Sequence, residues 1–189
     1  MGHLDFSVKL RFTIDEIIVN LSFCIFHMSS TLTPIKDVGL MQIDIELKKK
    51  LKLVTYIIVA DDDLDDQELI RDALLECGHA KEKIQFVNDG EELTAALSHA
   101  EKLPKLILLD LNMPRKNGKE ALAEIRQNER LRHIPIVIFT TSDSLSDVRE
   151  CYALGSNTYI TKPHLYSELL GAMQSLTAYW FRHSQTADS

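Results

Sequence analysis

Short apolar runs alternate with amphipathic stretches along the chain from Val54 onward. Near-continuous β-branched and aliphatic runs of four or five residues are typical of strands that are buried on both faces, as in a parallel sheet. On this basis we predict strands at Tyr56–Ala60, Ile84–Val87, Leu106–Leu109, Ile136–Phe139 and Thr158–Ile160.

Amphipathic segments with helical spacing follow these strands. We predict helices at Asp65–Cys77, Glu91–Ala100, Lys119–Gln127, Leu145–Leu154 and Tyr166–Phe181. Gly78 and Gly155 come directly after two of them, where glycine commonly ends a helix. A repeated strand–helix alternation predicts an α/β fold with a doubly wound parallel sheet.

Apolar stripes on three of the helices indicate the faces that pack on the sheet. The first helix presents Leu69, Ile70, Ala73 and Leu74, and the third presents Ala121, Leu122 and Ile125. For the pairs Leu69/Ala73 and Leu122/Ile125 a core role is the only interpretation. On the last helix the predicted apolar side comprises Leu169, Leu170, Met173, Leu176, Tyr179 and Trp180.

Composition and charge narrow the class of protein. The chain has 189 residues, a formal charge of −7 and a pI near 5.5. An acidic balance argues against general nucleic-acid binding, which relies on basic contacts to phosphates. The three cysteines, Cys24, Cys77 and Cys151, are far apart and odd in number. A disulfide framework or zinc site is therefore not expected, and a reducing compartment, the cytoplasm, is favoured.

The first 53 residues differ from the rest of the chain. They hold seven Lys/Arg and six Asp/Glu, whereas residues 54–189 carry a net charge of −8. The apolar stretch Ile17–Phe26 is shorter than the roughly 20 residues that span a bilayer. Acidic residues before it, and no small-residue cleavage site after it, argue against a signal peptide. The basic run Glu46–Lys52 is interpreted as a solvated approach to the first strand, with an acidic partner or lipid as the alternative.

We therefore divide the chain into an N-terminal extension at 1–53, an α/β domain at 54–183 and a tail at 184–189. The extension has no predicted structure of its own. Whether translation starts upstream of Met28 and Met41, or at one of them, stays open.

Polar residues stand at the predicted carboxyl ends of four strands. Asp61-Asp62-Asp63 follow the first, Asp110 the third, Thr140-Thr141-Ser142 the fourth and Lys162 the fifth. Such ends converge at one edge of a parallel sheet, where ligands bind. Carboxylates held close together repel one another unless a cation lies among them, and oxygen donors suit Mg²⁺. A lysine and a hydroxyl beside that ion favour a phosphoryl group, so the pattern predicts Mg²⁺-assisted phosphoryl transfer onto a carboxylate.

Each of these signals also has a simpler interpretation. An acidic run after a strand often caps the next helix. An Asp before Asn-x-Pro is commonly a turn former, and a Lys-Pro pair alone means little. Only their coincidence at the same strand ends supports a site. Asp65 and Asp66, further along, are expected to be capping or solvated charges.

Four motifs, in this order, give the chain a marked resemblance to a known family. They are IIVADDD, LILLDLNMPRKNG, IPIVIFTTS and YITKP. Residues 54–183 resemble the receiver domain of two-component response regulators. The stretches NMPRKNG and ERLRHIPIVIFTTS are most similar to single-domain regulators associated with phytochromes. The resemblance implies a flavodoxin-like fold with strand order 2-1-3-4-5.

The resemblance also implies a role for each motif residue. Asp110 corresponds to the phosphoacceptor, which takes a phosphoryl group from a histidine kinase, and Lys162 to the lysine that pairs with it. The Mg²⁺ ligands correspond to Asp61, Asp62, Asp110 and the backbone carbonyl of Asn112. Thr140 and Tyr159 correspond to a switch pair in which the threonine turns inward and the tyrosine becomes buried. The Lys162–Pro163 bond is expected to be cis.

The resemblance leaves the output of the domain to a partner surface. Residues after Lys162 provide one helix and no room for an output domain, and residues 1–53 lack a recognisable one. Tyr179, Trp180 and Phe181 either cap the core or anchor an interface. The family implies a homodimer through the fourth helix, fifth strand and fifth helix.

One position departs from the family pattern. Thr141 stands where the family usually has a small residue, and its branched side chain is expected to narrow access to the phosphoryl group.

A phosphohydrolase would need a second carboxylate two residues after its nucleophile, but Asn112 stands there. An adaptor that takes no phosphoryl group is the other alternative, although every required residue is present. The predicted function is a switch with only self-directed chemistry, not an enzyme.

Overall fold

The computed structural model describes residues 56–185, which form a five-stranded parallel sheet flanked by helices. The strand order is β2-β1-β3-β4-β5, which confirms the predicted order. The strands are β1 Ile57–Ala60, β2 Ile84–Val87, β3 Leu106–Leu109, β4 Ile136–Thr140 and β5 Thr158–Thr161.

Five α-helices connect or follow the strands, and polar side chains fix the start of several. They are α1 Leu64–Glu76, α2 Gly90–His99, α3 Gly118–Gln127, α4 Leu145–Ala153 and α5 Tyr166–Thr177. Asp63 and Asp89 cap the amino ends of α1 and α2, because each side chain accepts hydrogen bonds from backbone N–H groups of the first turn. Asn117 and Glu120 form a capping box at α3. A 3₁₀ turn, Lys81–Lys83, precedes β2.

The core lies on both faces of the sheet. Alternate residues of β1 point to opposite sides, so that Ile58 packs with α2 and α3, while Ile57 packs with α1 and α5. The central strands β1, β3 and β4 are buried along their whole length. This double layer explains why their sequences are continuously apolar rather than alternating.

Several details of the prediction are wrong. Leu69 lies on the outer side of α1 and is 44% exposed, because the buried stripe runs through Gln67, Ile70, Ala73 and Leu74. The last helix ends at Thr177, and Ala178–His183 continues as a π-helical segment. The peptide bond before Pro163 is trans. Trans is the lower-energy isomer of an X–Pro bond by about 0.5–1 kcal/mol, and Lys162 reaches its partners without the cis form.

Predictions for the two ends of the chain lie outside the described residues. These are the extension at 1–53, with its apolar stretch Ile17–Phe26 and its basic run, and most of the tail at 184–189. Among residues 56–185 no helix has the length and apolarity needed to cross a bilayer.

Candidate phosphoryl-acceptor site

The register of the sheet brings the predicted site residues to one edge. The backbone N–H of Asp110 donates to Ala60 O at 2.9 Å, so the residue after β3 lies beside the end of β1. The N–H of Lys162 donates to Thr140 O at 2.7 Å and places the residue after β5 beside the end of β4. The convergence that the sequence predicted is therefore built by ladder hydrogen bonds at the strand ends.

Three carboxylates meet at this edge. Asp61, Asp62 and Asp110 each offer one oxygen, and these oxygens all lie within 4.8 Å of one another. Asp61 and Asp110 are buried, whereas Asp62 is exposed. A set of carboxylate oxygens with one side open to solvent fits a hard divalent cation that keeps part of its water shell.

Burial raises the pKa of the Asp61 carboxyl from 3.8 to about 6. Hydrogen bonding and attraction to the Lys162 ammonium act in the opposite direction but do not outweigh the burial, and the charge of Asp110 adds to the rise. A carboxylate that is costly to ionise by itself gains most from a cation beside it. The electrostatics of Asp61 therefore fit a metal ligand.

Lys162 lies between two acidic partners and the phosphoacceptor candidate. Its Nζ is 2.7 Å from Asp61 Oδ2, 2.7 Å from Asp66 Oδ2 and 3.9 Å from Asp110 Oδ2. Burial lowers the pKa of the Lys162 ammonium, but its two carboxylate partners outweigh that effect and the net shift is upward. Lys162 is therefore a permanent cation at this site.

The contact with Asp66 was not expected from the sequence. Its position in the first turn of α1 predicted a capping or solvated charge. Its backbone N–H does donate to Asp63 Oδ1, the capping side chain, at 3.2 Å. Its side chain, however, turns inward to Lys162, 96 positions further along the chain. Asp65, its neighbour, is exposed as predicted.

The backbone around Asp110 is tightly packed. The N–H of Leu111 donates to Asp110 Oδ1 at 2.8 Å, which leaves Oδ2 as the oxygen nearer Lys162. Gly118 begins α3 directly behind this residue, and a Cβ there would lie 2.0 Å from the carbonyl oxygen of Asp110. Only glycine allows this approach. Asn112 is exposed.

Thr140 and Tyr159 are linked through the loop after β4. Thr140 is fully buried, and Tyr159 is half-buried with its hydroxyl donating to Ser142 O at 2.9 Å. Ser142 Oγ donates to Asp147 at 2.5 Å, and Asp147 pairs with Lys119 of α3 at 2.8 Å. The loop that follows Thr140 is thus tied to β5, α4 and α3 through Ser142. The side chain of Thr141 is exposed.

Comparison with known proteins identifies the family. The profile described as response regulator receiver domain matches residues 57–174. The chain belongs to this family. Receiver domains accept a phosphoryl group from histidine kinases, bind a divalent metal and are in general not enzymes apart from autophosphorylation.

Individual relatives agree with this assignment. Response regulator Rcp1 of Synechocystis sp. is 35% identical over 129 residues, which cover 66% of this chain and 87% of Rcp1. Transcriptional regulatory protein CiaR of Streptococcus pneumoniae is 36% identical over 121 residues, 64% of this chain and 50% of CiaR.

Solved structures show the same fold. The phosphorylated cyanobacterial phytochrome response regulator RcpA superposes with a TM-score of 0.64 at 33% identity, and covers 71% of this chain and 99% of its own. The Mn²⁺-bound form of Rcp1 superposes with a TM-score of 0.61 at 32% identity, over 70% of this chain and 98% of that one. The predicted resemblance to phytochrome-associated regulators is confirmed.

One further charged cluster of the receiver domain was missed by sequence reasoning. Arg115 has a φ of 60°, a left-handed conformation that is uncommon for a residue with a side chain. Its guanidinium pairs with Asp89, which is fully buried, and with Glu92 at 3.0 Å. The loop between β3 and α3, which follows the phosphoacceptor candidate, is therefore anchored to the start of α2.

The three aromatic residues after α5 have different environments. Trp180 and Phe181 are partly buried against the core on the α1–α5 side of the sheet, and Phe181 meets His79 edge to face at 4.8 Å. Tyr179, predicted to lie on the apolar side of the last helix, is instead 58% exposed. Core capping therefore fits Trp180 and Phe181, and Tyr179 stays an interface candidate.

Proposed function

We propose that this receiver domain accepts a phosphoryl group on Asp110 from the phosphohistidine of a histidine kinase and works as a switch in two-component phosphorelay signalling. The observation that carries the proposal is the position of Asp110. Its carboxylate is buried between two further acidic residues and Lys162, with Oδ2 3.9 Å from Nζ. The ammonium is therefore close enough to Asp110 to meet an oxygen of a phosphoryl group on that carboxylate.

The residues of the chain divide the work of the transfer. Asp110 Oδ2 forms the new O–P bond while the P–N bond of the phosphohistidine breaks and its electron pair returns to the imidazole nitrogen. The Leu111 N–H holds the other oxygen, at 2.8 Å, and so orients the nucleophile. Lys162 balances charge on the phosphoryl oxygens, and the Thr140 hydroxyl donates to one of them.

The metal in this proposal is Mg²⁺, held by Asp61, Asp62, Asp110 and the carbonyl of Asn112. The grouping of the three carboxylate oxygens within 4.8 Å supports this assignment. When bound, the ion neutralises charge on the phosphoryl oxygens. The buried Asp61 and the exposed Asp62 then differ in role, since Asp62 faces solvent from which the ion arrives.

Signalling in this proposal proceeds through Thr140 and Tyr159. Movement of Thr140 toward a phosphoryl group shifts the loop that accepts the Tyr159 hydrogen bond, so the tyrosine moves with it. We propose that the altered surface of α4, β5 and α5 forms a homodimer or binds a partner protein. Large exposed side chains on these elements, Leu145, Tyr152 and Tyr166, support an interface there.

We place the receiver domain at 54–183, after an extension and before a short tail, in the cytoplasm, where the free thiols of Cys77 and Cys151 persist. Its chemistry is limited to accepting a phosphoryl group and losing it slowly. Asn112 beside Asp110 argues against a phosphohydrolase, and the pairing of Lys162 with the carboxylates argues against an adaptor without phosphorylation.

Intact-protein mass spectrometry after incubation with acetyl phosphate and Mg²⁺ tests the proposal. The native chain should gain one phosphoryl group, Asp110→Asn none, and Asp65→Asn, which alters an exposed carboxylate of α1, should match the native chain. A folded native protein that gains no phosphoryl group would overturn the proposal and favour the adaptor. An adduct that survives in Asp110→Asn would place the acceptor elsewhere.

A further inference from the structure

Lys162 has a second acidic partner that lies outside the three-carboxylate cluster. We propose that Asp66 is a positioning residue, which holds Lys162 in the resting protein and releases it when Asp110 carries a phosphoryl group. The inference rests on the proposed function and adds a residue to it. It implies that the acidic first turn of α1 affects how strongly a phosphoryl group on Asp110 is stabilised.

The geometry around Nζ defines the competition. A lysine ammonium has three N–H donors. Two of them are engaged by Asp61 and Asp66, each at 2.7 Å, and Asp110 at 3.9 Å lies beyond hydrogen-bond reach. A phosphoryl group on Asp110 brings new, strongly charged acceptors toward the same ammonium. The third N–H is available to these acceptors, but Lys162 has to turn toward Asp110 to reach them, and this movement lengthens its contact with one of its two present partners.

Burial decides which partner yields. The Asp61 side chain is 2% exposed, so it has no solvent to turn to if it loses the ammonium. The Asp66 side chain is 33% exposed and stands on the first turn of a helix, where water replaces a lost partner at little cost. Asp66 is therefore the acceptor that Lys162 leaves. The backbone of Asp66 is held independently of Lys162, because its N–H donates to the Asp63 side chain.

Removing the charge of Asp66 has two opposite consequences. In Asp66→Asn the phosphoryl group no longer competes with a carboxylate for Lys162, so binding of a phosphoryl analogue to Asp110 strengthens. Without that analogue, the freed ammonium interacts more closely with Asp61 and Asp110, so the affinity for a divalent cation weakens. A substitution that only disordered the site would weaken both the binding of the phosphoryl analogue and the binding of the cation.

The experiment measures both affinities by titration on the full chain. Beryllofluoride, which binds an aspartate in the shape of a phosphoryl group, is titrated at saturating Mg²⁺, and Mg²⁺ is titrated alone. For Asp66→Asn we expect about fivefold tighter beryllofluoride binding, the effect of one partly exposed ion pair, together with weaker Mg²⁺ binding. Asp65→Asn removes the same charge one position away and should leave beryllofluoride binding unchanged. Asp66→Glu should restore native values.

The controls separate this inference from the function on which it rests. If the native chain binds beryllofluoride but Asp66→Asn binds it no more tightly than Asp65→Asn, Asp66 does not compete for Lys162 and the inference is wrong. Weaker binding of both ligands by Asp66→Asn would also overturn it. If neither the native chain nor Asp65→Asn binds beryllofluoride while folded, the proposed function itself fails.

Discussion

Burial of the ionised Asp61 carboxylate destabilises the folded protein, and a single substitution can measure this effect. The residue is 1% exposed, and its carboxyl pKa is raised to about 6 because burial outweighs the attraction of Lys162. In the unfolded chain the same group ionises near its ordinary value of 3.8. Between these two values the folded protein holds a proton that the unfolded chain has lost. Its stabilising contribution is complete below the lower value and is lost as pH rises through the upper one.

The size of the effect follows from the shift. A rise of about two pKa units corresponds to about 3 kcal/mol of stability lost once Asp61 is ionised. Asp61→Asn keeps the shape of the side chain and the acceptor for Lys162 but never ionises. In metal-free buffer above pH 6 we therefore expect it to be more stable than the native chain, with a melting temperature about 10 °C higher for a domain of this size. At acidic pH the two proteins should melt together.

Thermal unfolding in the presence of a chelator, from pH 4 to pH 7.5, measures this difference. Asp62→Asn is the control, because it removes an exposed carboxylate of the same cluster, and we expect a change within about 0.5 kcal/mol. Added Mg²⁺ should stabilise the native chain and fail to stabilise Asp61→Asn. If Asp61→Asn were the less stable protein in metal-free buffer near neutral pH, the attraction of Lys162 would exceed the cost of burial and the reasoning would be refuted.

Two further predictions concern a close backbone contact and a buried ion pair. Gly118→Ala would place a Cβ 2.0 Å from the carbonyl oxygen of Asp110, and should cost about 1–3 kcal/mol in urea unfolding. Gly171→Ala in α5 meets nothing within 4 Å and should instead stabilise the protein by about 1 kcal/mol; equal effects would contradict the packing argument. Arg115→Ala leaves the buried Asp89 carboxylate without its cation and should cost about 1–3 kcal/mol. Adding Asp89→Asn should recover most of that loss, and a double variant as unstable as the single one would show that the ion pair is not the cause.

The strands were predictable because burial on both faces leaves a continuous apolar signal. Leu106–Leu109 and Ile84–Val87 have the predicted bounds, and most helix ends differ by one residue. The exposure of Leu69 was not predictable from spacing, since an apolar residue beside a stripe fits either side of a helix. The change to π-helical geometry at Ala178 has no marker in the local sequence.

The site was predictable as far as it lies at strand ends. The ladder that sets Asp110 beside β1 and Lys162 beside β4 is a property of parallel sheets, so the convergence followed from the order of the strands. The partners of Lys162 and Arg115 were not predictable in this way. Asp66 contacts Lys162 although the two are 96 positions apart in the sequence. Arg115 reaches Asp89 because its own backbone is left-handed, and an arginine gives no indication of that conformation in the sequence.

Lys162 makes the acidic cluster partly self-sufficient, because the polypeptide supplies a counter-ion of its own. Small domains whose ligands are held together only by a metal unfold when that metal is removed. Here hydrogen bonds of the sheet already hold the cluster in place, and the ammonium balances part of its charge. Depletion of divalent ions is therefore expected to stop phosphoryl transfer reversibly while the domain stays folded. In a cell short of such ions the protein would remain folded and would regain its function once they return.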